Sequence, residues 1–259
     1  MPFVEQTIDS VLGQRYGSLE YIVIDGGSTD GTVDIIKSHE TRIAKWSSEK
    51  DEGIADAFNK GLSLATGDYI MFLNADDVLS NQDVLSEMSK NIIQSNYPCI
   101  IYGDCDVLDR NSGEKLYRAK IEFSTKALLN GRMLPHPSMF TSRNYFSKYG
   151  TFDSSFSLAM DYEWLLRGAF KERIVHVPEL VSNVRNGGLS TQNKRQAVNE
   201  IISALKINGY ITSAWDEINM RGYFFARAFA RSIFMCLGLT SLLTTIKKKR
   251  ISMANNTKS

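Results

Sequence analysis

Apolar positions along the chain fall into two alternating rhythms. Ile8, Val11 and Leu12 recur at helical spacing. Tyr21-Ile22-Val23-Ile24 is a continuous apolar run closed by Asp25-Gly26-Gly27, which reads as a strand ending in turn residues. A helix is expected from about Thr32, with Ser28, Thr29 and Asp30 available to cap it, and a second over about 54–64. The next apolar run, Tyr69-Ile70-Met71-Phe72-Leu73, is closed by Asn74-Ala75-Asp76-Asp77. A helix near 82–93 and a strand at 99–102 follow. Both acid-ended strands are almost wholly apolar, as strands covered by helices on both faces are. This alternation predicts an α/β domain with a mixed, mostly parallel sheet flanked by helices. Residues 104–121 read as a hairpin turning at Asn111-Ser112-Gly113, 161–167 as a helix, and 174–177 as a strand ended by Pro178. Beyond Thr191 the pattern is helical. The division expected is a globular domain over 1–200 and a helical tail over 201–259. In that tail, 223–246 is apolar and aromatic but carries Arg227 and Arg231, leaving an uninterrupted run of 15 residues over 232–246. That is shorter than the roughly 20 needed to span a bilayer.

Composition narrows the class. Of 259 residues, 43% are hydrophobic and 23% charged, with 18 Gly and 5 Pro, which excludes wholesale disorder, collagen and coiled coil. The three cysteines, Cys99, Cys105 and Cys236, show no metal-ligand spacing, and a reducing compartment is expected. Met1 to Gln6 has neither the basic nor the apolar segment of a secretion signal, so a cytoplasmic location is expected. The net charge of +1 conceals an asymmetry: residues 201–259 hold nine Lys/Arg against Asp216 and Glu217, and the remainder holds 21 basic and 27 acidic residues. An acidic body with a basic apolar tail, ending in Lys247-Lys248-Lys249-Arg250, does not suit nucleic acid; it suits the anionic inner face of a membrane.

Ligands of open α/β sheets collect at the carboxyl ends of the strands. Two strands here end in acidic loops at that position. Glycines such as Gly27 let a ligand approach the backbone, and carboxylates can hold a ribose, a base N–H or a hard cation. Taken singly, each loop is equally an ordinary turn.

The series Tyr21–Thr32, Ser48-Glu49-Lys50-Asp51-Glu52-Gly53 with Asp56 to Gly61, Ala65-Thr66-Gly67-Asp68 into Asn74-Ala75-Asp76-Asp77, His136-Pro137-Ser138 and Met160-Asp161-Tyr162-Glu163-Trp164 resembles the inverting family 2 glycosyltransferases that build bacterial surface polysaccharides. The resemblance covers roughly residues 3–190. It implies a GT-A fold, a nucleotide-sugar donor, a glycan or lipid-linked acceptor, and Mg²⁺ or Mn²⁺. On that resemblance Asp25, beside Gly27, contacts the donor's base or ribose, and Asp51, Asp56 and Asn59 line the same pocket; a solvent-facing helix position is the alternative for Asn59. Asn74-Ala75-Asp76 stands where the family carries Asp-x-Asp, which makes Asp76 the metal ligand and Asp77 its support. The literal Asp104-Cys105-Asp106 matches no family position and is set aside. Asp161 corresponds to the general base, with a plain helix start and a solvent face of Glu163 and Arg167 as the alternative. His136 lies beneath the acceptor site or is structural. Trp164 is core or an acceptor contact. Arg185 opens a glycine-bearing segment, 185–191, that closes over the substrates or is an ordinary loop.

The family usually begins with a Val-Ile-Thr-like strand lying between the two acid-ended strands, and here that strand would have to precede Pro2. The expectation is therefore an open slot between 21–24 and 69–73, with weak or no donor turnover. A sugar-nucleotide pyrophosphorylase would want a Gly-rich, Arg/Lys-bearing loop near residue 1, and a non-catalytic relative of the transferases is the remaining alternative.

Overall fold

The computed structural model describes residues 3–188 and 192–236. The chain divides into two compact units, Met1–Tyr210 and Ile211–Ser259.

In the first unit, helix α1 (Val4–Leu12) is followed by strand β1 (Ile22–Asp25), helix α2 (Thr32–Ser38), strand β2 (Lys45–Ser48) and helix α3 (Ile54–Leu64). Then come β3 (Tyr69–Ile70), β4 (Val78–Leu79), α4 (Val84–Gln94) and the long β5 (Ile100–Leu108), which turns back into β6 (Lys115–Ala119). Helix α5 (Thr125–Leu129), strand β7 (Met139–Ser142), helices α6 (Arg143–Tyr149) and α7 (Met160–Gly168), strand β8 (Ile174–Arg185) and helix α8 (Lys194–Ile207) complete it.

The strands form two sheets. β1 and β2 pair in parallel, with Asp25 opposite Ser48. The second sheet runs β3-β7-β5-β8-β4, with β6 on β5. Its pairing is mixed. Helical crossovers, which make parallel neighbours, account for β1–β2 and β5–β8, whereas β3–β7, β4–β8, β5–β7 and β5–β6 are antiparallel.

Helix α1 ties the two sheets together. Val4 and Ile8 pack with Ile36 and Ile43 over the small sheet. Val11, one turn further on, belongs to the larger core of Leu79, Val84, Met88, Ile101, Phe140 and Val181.

Among the described residues no strand joins β1 to β3. The two strands belong to different sheets, β3 keeps only two paired residues, and a cavity of about 1260 Å³ lies between them. Ile22, Ile24, Tyr69, Met71 and Leu73 are among its walls, and Asp51, Asn74 and Ala75 stand at its rim.

Two expectations are corrected. β8 does not stop at Pro178 but continues to Arg185. Its ladder with β5 skips there, from Tyr102↔His176 to Asp104↔Leu180, so the proline sits at an irregularity where no ladder N–H is required. Gly103 allows this approach, since a Cβ there would meet the Glu179 carbonyl at 2.5 Å. Nor does the face of α7 expected to meet solvent do so: Glu163 is buried and ion-paired with Arg167, which also donates to the carbonyls of Tyr149 and Thr151.

In the second unit the described element is helix α9 (Ala214–Cys236). Asp216 caps its start by accepting from the Ser213 N–H and hydroxyl at 3.0 and 2.8 Å. Trp215, Ile218, Tyr223, Phe225 and Phe229 are exposed on it. No helix among the described residues is long and apolar enough to cross a membrane. The basic cluster 247–250 and most of the 232–246 run lie outside the described residues, as do residues 189–191 of the glycine-bearing segment.

Candidate functional site

The first wall is made where β1 and β2 end side by side. Asp25 is buried, and its Oδ2 accepts from the Gly27 and Ser28 N–H groups at 3.1 and 2.9 Å and from the Ser48 hydroxyl at 2.7 Å. Burial alone would raise this carboxyl; the bonds from Ser28, Ser48 and Gly27 outweigh it and hold it below the usual aspartate value. All three bonds fall on Oδ2, and Oδ1 takes none of them. Gly27 adopts φ +85°, which suits glycine, and turns the loop back against Lys50. Asp51 is drawn in beside it. A Cβ on Gly26 would lie 2.3 Å from Asp51 Oδ2, and the other oxygen accepts from the Gly53 N–H at 3.0 Å at the start of α3. Asp25 and Asp51 thus share one acceptor-only corner. Asp56 accepts from the Glu52 N–H at 3.1 Å and pairs with Lys60, which steadies the first turn of α3.

The second wall is the loop after β3. Asp77 is buried. It accepts from the Asn74 side-chain amide at 3.0 Å and from the Arg185 backbone N–H at 3.3 Å, and burial, with that Asn74 bond opposing, pushes its carboxyl up to about 6. Its oxygens are engaged in holding the loop, which leaves Asp76 as the carboxylate presented outward. Arg110, from the β5–β6 turn, forms an ion pair with Asp76. Its backbone N–H donates to Asn186 Oδ1 at 2.9 Å and its Nε to the Asn186 carbonyl at 3.3 Å. Arg185, the last residue of β8, lies over the Phe3 ring at 4.1 Å and donates to Gln6 at 2.9 Å, while its Nε is buried without a hydrogen-bond partner. A hard cation whose shell is completed by phosphate and water needs one or two protein carboxylates, and Asp76, a partly exposed carboxylate ion-paired with Arg110, has that chemistry. Among the described residues no group of three or more His, Cys, Asp or Glu side chains is arranged to hold a metal by itself.

A further group of candidate residues, Asp161 and His136, lies at and near the start of α7 and is not part of the cavity lining. Asp161 is half-buried, and burial pushes its carboxyl above the usual range, with nearby His136 opposing. His136 is pushed down by the same burial, with Asp161 opposing. The imidazole lies flat against Phe72 (ring centroids 5.7 Å apart, 13° between planes) in a cluster with Phe58 and Phe152. Asn59 is engaged at both ends: its amide donates to the Phe152 carbonyl at 2.8 Å and accepts from the Phe152 N–H at 3.0 Å. It fastens α3 to the loop before α7. Trp164 is core and not an acceptor contact. It is 1% exposed, stacks on Phe146 and donates its indole N–H to the Gly150 carbonyl at 3.1 Å.

Asp104 and Asp106, set aside as a metal site, are taken up by other partners. Asp106 is forked by Arg118 at 2.8 and 3.1 Å and paired with Lys115, and Asp104 pairs with His176 at 3.0 Å.

Three participants have no role of their own in the sequence reading. Ser48 and Gly26 shape the Asp25–Asp51 corner, and the apolar pattern near them signals only strand ends. Arg110 reaches Asp76 across 34 positions, and the sequence marks it only as part of a turn.

Residues 2–156 match the family model for Glycosyl transferase family 2. An uncharacterized glycosyltransferase of Mycobacterium tuberculosis is 32% identical over 197 residues, covering 75% of this chain and 74% of that protein. A PGL/p-HBAD biosynthesis glycosyltransferase of Mycobacterium bovis is 30% identical over 190 residues, covering 71% and 72%. Among solved structures, the mannosyltransferase PcManGT of Pyrobaculum calidifontis, in complex with GDP-Man and Mn²⁺, superposes with a TM-score of 0.59 at 17% identity, covering 93% of this chain and 77% of that one.

Proposed function

Because the chain belongs to glycosyl transferase family 2, we propose that it moves a sugar from a nucleotide-diphosphate donor to a glycan or lipid-linked acceptor, with inversion at the anomeric carbon. The observation that carries this reading is the meeting of two acid-bearing strand-end loops at one cavity rim, with Asp51 on one side and Asn74-Ala75 on the other.

In this reading Asp25 and Asp51 accept from the donor's base N–H or ribose hydroxyls, for which an acceptor-only carboxylate is suited. Gly26 and Gly27 let the nucleotide approach the backbone. Asp76 is the ligand for Mg²⁺ or Mn²⁺, with Asp77 holding its loop; a divalent cation bound there would stabilise the negative charge of the leaving diphosphate. The presence of Mn²⁺ with GDP-Man in the mannosyltransferase structure supports this choice. Asp161 takes the proton from the acceptor hydroxyl as that oxygen attacks the anomeric carbon, opposite the departing diphosphate. Its raised affinity for protons makes it a better base than an exposed aspartate. His136 and the Phe58–Phe72–Phe152 cluster fix its surroundings.

The aromatic residues exposed on α9, with the basic residues that follow in the sequence, support placing the second unit at the cytoplasmic face of the membrane. The PGL/p-HBAD biosynthesis relative supports a lipid-linked acceptor and a place in cell-surface glycan assembly.

The test is release or transfer of radiolabelled sugar from a panel of UDP-, GDP- and dTDP-sugars, with and without Mn²⁺. Turnover of one donor that is lost in Asp161→Asn supports the reading. A protein that binds no sugar nucleotide overturns it.

A further inference from the structure

Arg110 occupies an unusual place. It comes from the β5–β6 turn, outside every motif that marks the site, yet its guanidinium rests on Asp76, the one carboxylate of the second wall that is turned outward. It is held at the root. Asn186 accepts from both its backbone N–H and its Nε, and the Asn186 N–H in turn donates to the Leu108 carbonyl at 2.9 Å. The guanidinium and that of Arg185 approach the same Phe3 ring, at 5.7 and 4.1 Å. Two positive groups therefore meet at one ring, Arg110 paired with Asp76 and Arg185 bonding Asp77 through its backbone N–H.

Such a pair is more than Asp76 requires. Arg110 Nη2 already holds Asp76 Oδ2, so a divalent cation drawn to that oxygen would compete with the guanidinium. Nor is the side chain sealed in place: it is 39% exposed, so it can leave without opening the core. A planar fork of donors matches a diphosphate oxygen pair as well as it matches a carboxylate.

We propose that Arg110 is a donor-diphosphate ligand that neutralises Asp76 in the empty site and passes from the carboxylate to the diphosphate when cation and donor bind together. The inference rests on the reading of Asp76 as the cation ligand. Its consequence is coupling: with Arg110 in place a cation alone must compete for Asp76, and a diphosphate alone must draw Arg110 off it. Each ligand therefore binds better once the other is present, and by the same factor.

The test uses the full chain, Mn²⁺ alone and inorganic pyrophosphate, with calorimetric titration as readout. In Arg110→Ala, Mn²⁺ alone should bind about two- to fivefold more tightly, the scale of one exposed ion pair. Pyrophosphate in the presence of saturating Mn²⁺ should bind about tenfold or more weakly, the scale of one lost charge-assisted hydrogen bond. Arg110→Lys keeps the charge without the fork and should fall between. A melting curve confirms that each variant is folded, and Asp76→Asn is titrated alongside. If Asp76→Asn loses Mn²⁺ while Arg110→Ala leaves both titrations unchanged, this inference fails and the metal assignment stands. If Asp76→Asn retains Mn²⁺ affinity, the metal assignment fails and this inference with it.

Discussion

Replacing Gly26 by alanine tests the donor corner most directly. The added methyl would sit 2.3 Å from Asp51 Oδ2 and 2.9 Å from its carboxyl carbon, where real Cβ contacts stay beyond 3.0 Å. The flexible carboxylate yields before the backbone does. It must swing away from Asp25, and it then loses the 3.0 Å bond from the Gly53 N–H at the start of α3. Loss of that cap-like bond should cost about 1 kcal/mol, a fall in melting temperature of roughly 2–4 °C for a unit of this size. The effect on the donor should be larger. A carboxylate displaced from a ligand forfeits a charge-assisted hydrogen bond worth about 1.5–3 kcal/mol, or roughly 10- to 150-fold in donor affinity. Donor binding is read by calorimetry and stability by thermal melting, in Gly26→Ala, Asp51→Ala and the double variant. Because the methyl acts only through Asp51, the double variant should bind donor no worse than Asp51→Ala alone. Additive losses would refute the reasoning, as would a Gly26→Ala protein that binds donor within twofold of the parent.

Asp76→Ala should abolish metal-stimulated transfer with a melting temperature close to the parent's; full metal-stimulated activity would remove Asp76 from the cation site. Asp161→Asn should lower kcat by about 10²–10⁴-fold at nearly unchanged donor affinity, and a loss under tenfold would leave Asp161 as a helix-start residue. Since burial raises Asp161, the acid limb of kcat should lie above the ordinary aspartate value of 3.8, activity falling as pH drops through it; a limb at or below 3.8 would contradict the base assignment. Truncation after Met220 should move the protein from anionic vesicles to the supernatant in a flotation assay; continued flotation would place the membrane contact elsewhere.

The elements set by periodicity were legible from the sequence. α3 falls at 54–64 as read, and β1 and α4 within two residues, because each apolar stripe meets a core that matches its period. β3 is shorter than its apolar run, because Met71 to Leu73, though as apolar as a strand, pair with no strand among the described residues. β8 was cut short because Pro178 normally ends a strand, and only the irregular ladder opposite Gly103 makes it tolerable. For the proposed site the sequence offers Asp25, Asp51, Asp76 and Asp161 as candidates but not what each one touches. Ser48 under Asp25, Arg110 on Asp76 and Phe152 on Asn59 are long-range pairings, and nothing in local spacing specifies them.

The two-ended amide clasp between Asn59 and Phe152 gives the site a mechanical character. Helix α3 begins at the Asp51 corner, and Phe152 leans on Trp164, three residues along α7 from Asp161. One side chain thus acts as a tie-rod between the proposed nucleotide side and the proposed proton-accepting side. In the proposed function, that clasp would set how far the nucleotide side stands from Asp161, so register between the two sides is built into packing, while loops outside the clasp remain the part that can adapt to different acceptors.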